Sequence, residues 1–95
     1  MTEDKLRRDI VRGARASALL ADELLVEAFS RLEAEYIAAW RITPARDTDA
    51  RERLWQAVNI VGKVREHIAR VAADGKLAQR QLDELVTQGA AATPR

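Results

Sequence analysis

The sequence predicts an all-α protein: a long antiparallel helical hairpin with a short third helix, built to self-associate. Three observations predict it. Apolar residues recur at three- and four-residue steps over residues 3–42 and again over 48–73. The stretch Thr43-Pro44-Ala45-Arg46-Asp47-Thr48 is the one strong break between those runs. Apolar residues make up 47% of the chain and charged residues 33%, a balance that suits helices with one wet face and excludes wholesale disorder.

The first helix is expected over about 3–42. In its opening turns Lys5, Arg8, Arg12 and Arg15 follow three- and four-residue steps and so share a face. Leu6, Ile10, Gly13 and Ser17 form a neighbouring apolar or small strip. From Val11 a heptad stripe takes over through Ala14, Ala18, Ala21, Leu25, Ala28, Leu32, Ala39 and Ile42, and only Glu35 breaks it. Its small residues allow another helix to approach closely. Gly13 costs about 1 kcal/mol against Ala inside a helix, so close packing or a bend is expected there. A second bend is expected at Asp22, which can cap a fresh helix from Glu23.

Pro44 lacks an N–H and biases Thr43 away from helical angles, which stops the helix near Ile42. Asp47 or Thr48 then caps a second helix over 48–73, with Asp49 at the positive end of its dipole. Leu54, Ala57, Val61, Val64, Ile68 and Val71 carry its stripe. Ala73-Asp74-Gly75 reads as its end, with Gly75 as a left-handed cap, and 76–87 as the third helix. Residues 1–88 therefore form one helical domain, followed by a small-residue, flexible tail over 89–95.

Lengths add a constraint. Forty residues of helix span about 60 Å, and the second run only about 40 Å. Unless the first helix bends, its opening turns overhang the hairpin and need a partner. Leu6, Ile10, Val11, Ala14, Ala18, Ala21 and Leu25 are the residues expected to meet it, in a second copy or another protein.

Composition narrows the chemistry. A net charge of +1 over 95 residues projects no strong field toward nucleic acid or membrane. The absence of cysteine removes disulfides, thiolate catalysis and sulfur-ligated metals. No apolar run approaches the ~20 residues of a membrane span, and the charged start does not resemble a signal peptide, so an intracellular soluble protein is expected. His67 has no second His or Cys beside it and reads as structural. Glu35 reads as a rim residue or as a partner of Arg65 or Arg70. Its functional alternative is proton transfer or an interchain register device. Asp47, Asp49 and Glu52 are explained by a helix start. Tyr36, Trp40 and Trp55 read as closing the end of a hairpin core in preference to stacking on bases. No catalytic residue, metal site or cofactor is expected. Lys5, Arg8, Arg12 and Arg15 are the candidate phosphate contacts.

Two resemblances bear on function. The local run from Pro44 to Arg53 is similar to the loop into helix two of the all-helical chorismate mutases. That family binds a dianion with several cations, whereas residues 17–40 here offer only Arg31 against five acids. The positions that would need cations hold Leu24 and Glu35. An enzyme is therefore not expected. More broadly, Glu35–Trp40, Arg46–Thr48, Arg51–Trp55, Val61–Ile68 and Gly75–Ala78 resemble small helical proteins of tailed-phage and prophage head and DNA-packaging gene regions. By looser analogy, small terminase subunits use helical hairpins as ring-forming cores, though this chain is shorter and has no separate helix-turn-helix domain. The resemblance implies a non-enzymatic homo-oligomer acting in DNA packaging or head assembly. It would be located in the bacterial cytoplasm or the virion, touch DNA through the basic face, and partner a phage packaging or head protein. The alternative is a protein-binding adaptor bundle without DNA contact.

Overall fold

The structure, a computed structural model, describes residues 2–92, with side-chain burial described for residues 2–89. It is all-α: α1 spans Glu3–Ala21, α2 Glu23–Ile42 and α3 Thr48–Ala92. Each helix starts under the same device, a side-chain oxygen accepting from the backbone N–H three residues on. Thr2 Oγ1 accepts from Lys5 N at 3.2 Å, Asp22 Oδ1 from Leu25 N at 3.0 Å, and Asp47 Oδ1 from Ala50 N at 3.2 Å. The long run before Pro44 is thus two helices. Asp22 is extended, at φ −69° and ψ 117°, and separates them.

At the far end of α2, Thr43 is extended in the manner the following proline imposes. Its N–H bonds the Ala39 and Trp40 carbonyls, and its hydroxyl donates to the Ala39 carbonyl at 2.7 Å. Arg51 closes the turn from the other side. Its Nη1 donates to the Trp40 carbonyl at 3.1 Å and the Thr43 carbonyl at 2.8 Å, while the guanidinium lies 4.0 Å from the Trp40 ring centre. The Trp40 carbonyl thereby gains a second donor and the Thr43 carbonyl gains one, both from a cation that the negative end of the helix dipole favours.

α3 departs from the sequence expectation. Residues 48–73 and 76–87 are not separate helices, because α3 runs unbroken through Gly75. No described glycine has a positive φ, so Gly75 is not a left-handed cap. The stretch expected as a flexible tail is helical as far as Ala92, and residues 93–95 lie outside the described residues. The physical reason lies in α1. A Cβ on Gly13 would stand 2.5 Å from Gly75 Cα and 3.2 Å from the Val71 carbonyl oxygen. A Cβ on Gly75 would stand 2.6 Å from Gly13 Cα and 2.9 Å from the Asp9 carbonyl oxygen. These glycines let two helix backbones touch, and Gly13 likewise stays within a continuous α1.

Contacts divide the chain into two units, residues 1–18 with 68–95 and residues 19–67. In the first, Leu6 is 1% exposed and packs with Ala78 and Leu82, with Ile10 against them. Ala16 and Ala72 are also buried. The predicted overhang therefore does not occur at Leu6: α3 carries the chain on past Gly75 and covers it. In the second unit α2 has no buried residue, and Val61 of α3 is buried. Trp40 meets Arg51 while Phe29 and Glu33 meet Arg65, so α2 and the start of α3 run in opposite directions.

Glycine replacements separate packing from helix propensity. Gly13→Ala and Gly75→Ala should each lower stability by about 1–3 kcal/mol, since backbone must move to admit the methyl group. At Gly62 a Cβ would meet nothing within 4 Å, so Gly62→Ala should gain up to ~1 kcal/mol. Urea unfolding followed by circular dichroism reads both signs.

Candidate functional site

The cationic row of α1 lies on an exposed face: Lys5, Arg8, Arg12 and Arg15 are all exposed, whereas Leu6, Gly13 and Ala16 are buried. Its charge is partly compensated at one end. Lys5 Nζ donates to Asp9 Oδ2 at 2.8 Å, and Arg7, off the row, bonds Glu3 at 2.6 Å. The hydrogen bond from Lys5 holds the Asp9 carboxyl below the usual aspartate range, helped by the charges of Lys5, Arg12 and Arg8 and opposed by desolvation. Arg8, Arg12 and Arg15 make no ion pair among the described residues. A phosphate would thus meet three guanidinium groups that need not first leave a carboxylate.

The apolar set expected to meet a partner divides. Leu6 and Ile10 belong to the core formed with Ala78 and Leu82 and present no free surface of the kind expected. Val11, Ala14, Ala18 and Ala21 are exposed, and Leu25 is half-buried. The larger apolar surface lies in the second unit, where Leu24 is 74% and Ile42 84% exposed, with Leu32, Trp55, Ile60 and Val64 also exposed.

The polar candidates fall as follows. Glu35 is exposed and pairs with neither Arg65 nor Arg70. Arg65 instead reaches Glu33 at 3.2 Å and lies 5.2 Å from the Phe29 ring centre. Heptad position alone could not settle that choice, because Glu33 lies on the face toward α3 and Glu35 lies beyond it. His67 is exposed, and among the described residues no group of three or more His, Asp or Glu is placed to hold a metal ion. Asp47 caps α3 while Glu52 accepts from Gln56 at 3.3 Å. Trp40, Ala45, Thr48, Arg51, Glu52 and Trp55 line an open depression of about 530 Å³ beside the turn. One Trp40 face there is occupied by Arg51, the contact that sequence inspection missed. Its signal was an arginine nine residues beyond a helix C-terminus and one turn into the next helix. Among the described residues no helix is long and apolar enough to cross a membrane.

No family model, curated protein or solved structure matches this chain. The functional question therefore rests on these surfaces.

The Asp9 carboxyl is lowered in the folded chain, so its pair with Lys5 contributes stability above the ordinary aspartate range and loses it as pH falls through and below that range. Asp9→Asn should be less stable than the parent at pH 7 and should show a flatter acid limb below about pH 5. Urea midpoints measured from neutral pH downward test this.

Proposed function

We propose that this chain is a non-enzymatic, self-associating helical protein that presents a cationic helix face to phosphate. The observation that carries the proposal is the uncovered apolar surface of α2, which has no buried residue although it bears Leu24, Val26, Leu32, Ile37 and Ile42. Large exposed apolar patches mark interaction sites. The resemblance to small proteins of tailed-phage head and packaging gene regions supports a place in DNA packaging or head assembly, in the host cytoplasm or the virion. Lys5, Arg8, Arg12 and Arg15 are then the DNA contacts. Each is weak alone, and assembly of several copies on one duplex multiplies them.

Light scattering across micromolar concentrations, with and without duplex DNA, tests both parts. Oligomers are expected in the absence of DNA. DNA affinity should fall as salt rises, and Arg8→Glu with Arg12→Glu should flatten that dependence by about 0.9 in slope for each phosphate contact removed. A monomer at high micromolar concentration overturns self-association, and would favour a protein-binding adaptor. DNA binding insensitive to salt or to the two substitutions overturns the phosphate face.

A further inference from the structure

The outward face of α2 carries a pattern that selects its own occupant. Phe29, Glu33, Tyr36 and Trp40 are half-buried, and Phe29, Glu33 and Trp40 contact Arg65 or Arg51 of α3. On the far side, Leu24, Ala28, Arg31, Glu35, Ala38 and Ile42 follow steps of 4, 3, 4, 3 and 4 residues, the spacing of a coiled-coil seam. All six are exposed, and Leu24 and Ile42 have the highest exposures among the large apolar residues described.

The seam is also symmetric about the level of residue 33. Leu24 and Ile42 lie nine residues to either side, Ala28 and Ala38 five, and Arg31 and Glu35 two. Leu24 and Ile42 are five full turns apart, about 27 Å, and so point the same way. Reversing the helix exchanges apolar with apolar, alanine with alanine, and a cation with an anion.

We infer that α2 pairs antiparallel with α2 of a second copy about a two-fold axis at the level of residue 33. The inference rests on the self-association proposed above and adds the partner's surface and register. A self-reversing pattern is what an isologous contact requires and what a different partner would not. Charge makes the same choice. Antiparallel pairing brings Arg31 to Glu35 of the other copy twice, whereas parallel in-register pairing stacks Glu35 on Glu35 and Arg31 on Arg31. Both groups are available: Glu35 has no ion pair or hydrogen bond among the described residues, and Arg31 has only a 3.6 Å contact with Glu27 between two exposed side chains. Ala28 and Ala38 let the backbones approach. The Asp22 cap and the Thr43–Pro44 stop end α2 just beyond Leu24 and Ile42, so the seam uses its whole length. Glu35 is thus the register device for the dimer.

The chain has no cysteine, which makes the test direct. Leu24→Cys and Ile42→Cys proteins, each folded by circular dichroism, are oxidised alone and mixed. The mixture should give a disulfide-linked dimer that neither gives alone. Glu35→Arg or Arg31→Glu should each weaken the dimer roughly tenfold or more, and the double exchange should restore it. An oligomer that persists without the mixed cross-link, or a double exchange no better than the singles, overturns this seam and leaves self-association standing. A monomer at high micromolar concentration overturns both.

Discussion

The contact between Gly13 and Gly75 is the constraint from which the terminal unit follows. It places one helix backbone against another with no side chain between them, and any Cβ at either position would enter the opposite backbone. Two glycines inside helices cost about 1 kcal/mol each against alanine. The cost is offset because close approach brings flanking side chains into full contact: Leu6 against Ala78 and Leu82 on one side of the crossing, Ala16 and Ala72 buried as well. Apart from Leu6 and Leu82 the buried residues of this unit are glycine and alanine, so proximity of backbones supplies dispersion contact where bulk of side chains does not.

The same contact explains which parts of the fold were legible in the sequence. Helical character, the stop at Ile42 and the start near Thr48 rest on local chemistry: Pro44 forbids continuation, and Asp47 offers the cap. Asp22 likewise announces itself by its type and by the helix-forming run after it. Gly75 was illegible. Ala-Asp-Gly has the local composition of a helix end, and only the partner glycine, sixty-two residues earlier, makes a continuous helix the better solution. From the resulting short second helix followed an overhang at Leu6, where α3 in fact supplies cover. One misplaced boundary moved two apolar residues from core to surface.

The site was legible in a different measure. The cationic row was visible from spacing alone, and its residues are exposed as a solvated face should be. Which cations are compensated was not visible, because Lys5 to Asp9 and Arg7 to Glu3 are choices among several neighbours at equal spacing. Glu35 was visible as the single charge in an apolar stripe. Its meaning depended on knowing that α2 turns Phe29 and Glu33 toward Arg65, and so turns Glu35 outward. The central unit thus keeps its few internal polar contacts at Arg51 and Arg65 and leaves much of its apolar surface uncovered. The terminal unit buries a small core around Leu6, yet Val11, Leu77, Leu85 and Val86 stay exposed there too.

α3 is one helix through Gly75 because Gly13 lies against it. Amide hydrogen exchange resolved at Lys76, Leu77, Ala78 and Gln79 tests this most directly, since a helix beginning at residue 76 leaves its first four N–H groups without intrahelical partners while a continuous helix bonds them. Protection there should equal that at Val71 and Leu82, and should be lost across the whole stretch when Gly13 is replaced by a larger residue. Fast exchange confined to residues 76–79 in the unaltered chain would contradict it.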